Sequence, residues 1–209
     1  MDFVSHTRSL RAIFSDSSDC YVIFGVRDPL EIFVSGFYSR QRKGAPRYHV
    51  EWTEEEAEAF GHFETANALA EALSSEDKDL QAAAGKAMES IGHVKKNLKG
   101  YLNGRAFLEK HKDSIFFIFK QADLDNDLDI LYKMFGKKLP ENISEDESLK
   151  HKNPGDVDRT ISELGMENLR KHYEKDILIY RKCLNLRREI LKKIKTDKDS
   201  YASRIARTS

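Results

Sequence analysis

YVIFGVRDPLEIFVSGFYSRQRKG, residues 21–44, is the stretch whose reading decides the fold. Its first part, Tyr21 to Val26, is rich in β-branched and aromatic side chains and apolar on both faces. That composition predicts a buried parallel strand. Arg27-Asp28-Pro29 ends it. Asp28 is a good helix N-cap, Pro29 suits the first helical position, and Glu31 stands three residues after the cap, as in a capping box. Leu30, Phe33, Val34 and Phe37 then recur at helical spacing and form an apolar face. Arg27 is thereby expected at the carboxyl end of a buried strand, beside a helix N-terminus, the edge where open α/β sheets bind ligands. Helix amides and a guanidinium together favour a phosphate. Ser35, in the second turn, is within reach of the same anion. The plainer alternative for Arg27 is a surface ion pair with Asp28 or Glu31.

A second buried strand is predicted over Ile115–Phe119, IFFIF. A polar link, Lys120 to Asp123, leads from it into a helix that runs to Phe135 and stops at Gly136. Leu128, Leu131, Tyr132 and Phe135 are its apolar stripe, which packs the sheet. Between the strands, Thr53 caps a helix that opens with Glu54-Glu55-Glu56, an acidic run expected to be a solvated face. Thr65–Leu73 and Asp77–Ser90 read as further helices. Ile91–Lys110 reads as an amphipathic helix weakened by Gly92, Gly100 and Gly104, with His93 either a structural side chain or, by the resemblance given below, a group under the acceptor site. Ala45 to Thr53 is irregular; its basic and aromatic residues either pack the loop onto the domain or line an acceptor site. Lys137–Arg159 is a long polar loop. Ser162 caps a last helical region that reaches Ile194.

The strand, the Arg-Asp-Pro turn, a serine eight residues after the arginine and the basic end Arg40-Gln41-Arg42-Lys43-Gly44 resemble the 3′-phosphate-binding segment of sulfotransferases. Those enzymes use 3′-phosphoadenosine 5′-phosphosulfate as donor. The second strand, its Asp123-Leu124 pair and the helix ending in Phe135-Gly136 resemble the same family, and the likeness runs from about Val4 to Leu184. It implies an α/β, helix-rich fold of the P-loop-NTPase-like kind: a parallel sheet flanked by many helices, one domain over residues 1–195, with 196–209 a basic, frayed tail. It assigns the 3′-phosphate to Arg27 and Ser35. It makes Lys150, His151 and Lys152 candidates for a basic loop over the cofactor phosphates. His6, ahead of the first strand, becomes a candidate general base, its plainer reading being a partly exposed histidine. The implied reaction moves a sulfuryl group to an acceptor hydroxyl of unspecified class and releases 3′,5′-bisphosphoadenosine, with no metal.

One departure weighs against turnover. The family wraps the 5′-phosphosulfate in a Gly- and Lys-containing loop between a first strand and helix. No such loop precedes Tyr21, and no G-x-x-x-x-G-K follows it. The first strand-loop-helix unit is therefore expected to be missing, either because the chain starts downstream of it or because the protein is a degenerate homologue. Loss of even one donor to developing charge costs about 10²–10³ in rate. The alternative function is a non-catalytic protein on the same sheet that binds a nucleotide or a partner.

Composition narrows the remaining classes. The 35 basic and 35 acidic side chains cancel, which argues against a general nucleic-acid binder. Charge is uneven, however: residues 170–209 carry 13 basic and 5 acidic side chains, 13 − 5 = +8. A basic amphipathic helix of that kind touches anionic membranes or nucleic acid, or is simply a solvated face. The two cysteines, Cys20 and Cys183, lack metal-ligand spacing and demand no disulfide, so a reducing, cytoplasmic setting is expected. No apolar run approaches the roughly 20 residues of a membrane span.

Overall fold

In a computed structural model that describes residues 8–16, 20–46, 48–139 and 157–206, Val22–Val26 forms strand β1 and Ile115–Lys120 forms strand β2. The two run parallel, with Val22 opposite Ile115 and Val26 opposite Lys120. A bulge after Val22 leaves Phe116 without a register partner. They make a two-stranded sheet among the described residues. The helices there are α1 (Leu10–Asp16), α2 (Pro29–Gln41), α3 (Glu54–His62), α4 (Ala66–Ala72), α5 (Lys78–Ser90), α6 (Leu98–Leu102), α7 (Arg105–Lys110), α8 (Leu124–Met134), α9 (Glu163–His172), α10 (Glu174–Thr196) and α11 (Lys198–Ala206). The protein is thus helix-rich α/β with a small parallel sheet. No helix among the described residues is long and apolar enough to cross a membrane.

The chain divides into two compact units. One comprises residues 1–27, 98–143 and 175–209, the other residues 28–97 and 144–174.

In the first unit β2 is the centre of the core. Ile115, Phe116, Phe117 and Ile118 are each at most 1% exposed, and each such side chain contributes about 1.5–3 kcal/mol. Ile179, Cys183, Leu186, Ile190 and Ile194 form the inward stripe of α10 and join the same cluster. Burial pushes the Cys183 thiol up to about 12, so this cysteine stays protonated. β1 is less covered than its sequence predicts. Val22 and Val26 are buried, Ile23 and Phe24 are half-buried, and Gly25 is exposed.

The stripe of α8 is rotated from the expected one. Asp127 and Met134 are its buried residues, whereas Phe135 is 41% exposed. Gly136 ends the helix as predicted, at φ +68°. The expected helix over Ile91–Lys110 is instead a turn at Ile91–Val94 followed by α6 and α7. Asn103 and Gly104, at φ +59° and +94°, separate the two. The last helical region is three helices, broken at Tyr173 and Asp197. The segment expected to fray holds α11, because the Tyr201 ring is buried and its hydroxyl donates to the Phe116 carbonyl at 2.7 Å.

In the second unit α2 starts as its sequence demands. Pro29 occupies the first turn, and the Asp28 carboxylate accepts the Leu30 amide at 2.8 Å. Phe33 and Phe37 are fully buried, and Phe37 meets Phe60 edge to face at 5.3 Å. α4 packs on α9 and on α5. Ser162 caps α9 through the Gly165 amide and donates to Glu71 at 2.6 Å. Gly36 lets the turn after α5 lie directly on α2. A Cβ there would stand 2.9 Å from the His93 Cβ and 3.2 Å from its backbone carbon.

Candidate functional site

The sequence places ligand chemistry at the carboxyl end of the parallel strands. In the first unit that edge is charged. Arg27 follows the last residue of β1, whose register partner is Lys120, the last residue of β2. The Lys120 amide donates to Asp127 Oδ2 at 2.8 Å, and its ammonium lies 3.2 Å from Asp123. Arg187 reaches in from α10. Its Nε donates to Asp127 Oδ2 at 3.2 Å, its Nη2 pairs with Asp127 Oδ1, and the same nitrogen lies 3.5 Å from Asp123. Lys120 and Arg187 are thus matched by Asp123 and Asp127 at this edge, and Arg27 is followed directly by Asp28.

Asp127 has no exposed surface. A carboxyl group buried that far needs hydrogen-bond partners at both oxygens, which the Lys120 amide and the Arg187 guanidinium supply. Its task is to fix the β2–α8 junction and the Arg187 side chain. Packing against the sheet is the one role expected for this helix from its residues. Of Asp123, Asp125, Asp127 and Asp129, the third is the one turned inward.

Ser35 lies in the second turn of α2 and is half-buried. The basic end of that helix is structural. Arg40 is 5% exposed. Its Nε and Nη2 grip Glu56 at 2.8 and 2.6 Å, and its remaining donors reach the Val50 and Glu51 carbonyls at 3.2 Å. Trp52 Nε1 closes the loop on the Arg40 carbonyl at 2.7 Å. Lys43 pairs with Glu51 and sits 5.1 Å from the centre of the Trp52 ring. Residues 48–53 are thus tied to the end of α2 by these bonds, with Trp52 half-buried and Tyr48 to Glu51 exposed.

Glu56 departs from the solvated acidic face expected for Glu54–Glu58. It is 3% exposed. Burial by itself raises a carboxyl pKa, but Arg40 and the amides of Gly92 and Thr53 outweigh it and hold Glu56 at about 2. The sequence did carry a signal. Thr53-x-x-Glu56 is a capping box, and both of its hydrogen bonds are present. His93, in the turn against α2, has its Nε2 3.5 Å from the Tyr48 hydroxyl. Burial, then Lys96 and Arg40, lower its pKa, so the imidazole is neutral at pH 7.

His6, Lys150, His151 and Lys152 lie outside the described residues. Among the described residues no group of His, Cys, Asp or Glu side chains is arranged to hold a metal. No family model matches the chain, and neither a curated protein nor a solved structure matches it.

Proposed function

We propose that the chain is a sulfotransferase-type protein on a P-loop-like sheet, which binds 3′-phosphoadenosine 5′-phosphosulfate and passes its sulfuryl group to an acceptor hydroxyl. The observation that carries this reading is the junction at the end of β1. A parallel strand ends at Val26, Arg27 follows, and Asp28 caps a helix that opens at Pro29. Strand, cation and helix start stand in the order a phosphate site requires. In this reading Arg27 and Ser35 hold the 3′-phosphate. His6 takes the proton from the acceptor hydroxyl. Its oxygen attacks sulfur in line, the bond from sulfur to the bridging oxygen breaks, and bisphosphoadenosine leaves. Lys150, His151 and Lys152 cover the phosphates.

A specific observation favours the non-catalytic reading for the second place: two strands make up the sheet among the described residues, and no loop for the 5′-phosphosulfate adjoins either. Binding and turnover separate the two. Bisphosphoadenosine at a hundredfold excess over its dissociation constant is expected to stabilise the protein by about 2.7 kcal/mol. Arg27→Ala should remove most of that, since an unpaired buried charge costs about 2–5 kcal/mol. Stabilisation without transfer of labelled sulfuryl to any of a carbohydrate, phenol or alcohol acceptor selects the non-catalytic protein. Equal stabilisation of wild type and Arg27→Ala overturns the phosphate site.

A further inference from the structure

α10 turns a row of cations outward. Arg181, Arg188, Lys192 and Lys195 follow one another at intervals of 7, 4 and 3 residues, so they share one face of the helix. All four are exposed. At 1.5 Å rise per residue the row is about 21 Å long. Its direction is fixed from beneath, because the opposite face of α10 is the stripe buried in the core.

The neighbouring cations are paired. Lys112 and Lys182 pair with Glu109, Lys133 pairs with Asp129, and Arg187 pairs with Asp127. The row is not. Arg188 donates to the side-chain amide oxygen of Asn185 on the same face, and none of the four pairs with a carboxylate among the described residues. α10 as a whole carries eight basic and three acidic side chains, 8 − 3 = +5, in a chain of zero formal charge.

We propose that this row docks the protein on an anionic membrane surface, by charge and without insertion. The chemistry of the face selects that partner. Single-stranded nucleic acid is held in grooves with aromatic platforms for the bases. The row has neither: it lies on the convex crest of a helix, and between its cations the face carries Leu184, half-buried, and Asn185. A leaflet of acidic headgroups requires no pocket, only fixed cations in a line. The apolar stripe of α10 is committed to the core, so nothing is left to enter the acyl layer. Each Lys or Arg near such a surface strengthens binding about fivefold, so the four together supply about 600-fold, in a form that salt screens.

The test is flotation of the full chain with vesicles of phosphatidylcholine and phosphatidylserine, 7:3, and with pure phosphatidylcholine. Binding to the mixed vesicles at 0.1 M salt, lost at 0.5 M salt and absent on phosphatidylcholine, is expected. The variant with Arg181, Arg188, Lys192 and Lys195 all changed to Gln should lose it. Changing Lys86, Lys95, Lys96 and Lys171 to Gln removes the same net charge elsewhere and should leave it intact. Equal loss in the two variants overturns the proposal, because net charge alone then explains binding. So does row-dependent retention on a DNA duplex or on heparin without retention on the mixed vesicles.

Discussion

Arg187 on α10 closes on Asp127 of α8 across 60 residues of sequence, and the carboxylate it meets has no surface at all. Removing one member of such a pair leaves an uncompensated buried charge, which costs about 3–5 kcal/mol. Arg187→Ala is therefore expected to lower the urea midpoint sharply, and Asp127→Asn less so, because an amide still accepts from the Lys120 backbone. A double-mutant cycle between the two positions should return a coupling of at least 1 kcal/mol. Additive effects would show that the contact contributes nothing of its own.

The Arg40–Glu56 pair gives stability a pH signature. The folded carboxyl is held at about 2 against an ordinary value of 4.5. A depressed carboxyl stabilises the fold above its unfolded pKa and loses that contribution as pH falls through the folded one. Stability should decline between about pH 4.5 and 2, by about 3 kcal/mol from this group. Glu56→Gln should lower stability at pH 7 and flatten the curve in that window. An unchanged slope would assign the acid sensitivity to other carboxylates.

Two helical glycines are expected to answer the same substitution with opposite signs. Gly36→Ala drives a methyl to within 2.9 Å of the His93 Cβ and should destabilise by about 1–3 kcal/mol. Gly85→Ala meets nothing within 4 Å and should stabilise by up to about 1 kcal/mol from helix propensity. Thermal unfolding of the two variants reads both. A rise for Gly36→Ala would mean that the turn holding His93 moves aside freely.

Tyr201→Phe keeps the ring in its core position and deletes its bond to the buried Phe116 carbonyl. A buried acceptor left unsatisfied costs about 1–3 kcal/mol. Urea unfolding should show that loss, with α11 the first helix to gain amide exchange.

Local punctuation explains what was legible in the sequence. Asp28 and Pro29 announced the start of α2, Gly136 announced the end of α8, and the Ile115–Phe119 run announced β2. Charges with distant partners were not legible. Glu56 sits among four other residues of an acid-rich turn, and what draws it inward is Arg40, 16 residues earlier. Asp127 depends on Arg187 and on the phase of α8. The same long-range dependence hid Tyr201, whose acceptor lies 85 residues away. Arg27 was legible as the residue beyond a strand, and Ser35 as a second-turn serine, because both positions follow from the chain itself.

The two strands of the sheet have 88 residues between them, 115 − 26 − 1 = 88. During synthesis at about 5–20 residues per second, β1 waits about 4–18 s on the ribosome before its partner has even been made. Through that interval Tyr-Val-Ile-Phe-Gly-Val is a sticky extended segment with nothing to zip against. A nascent-chain chaperone that shields this hexapeptide would decide the yield of the protein in the cell more than any contact in its finished core.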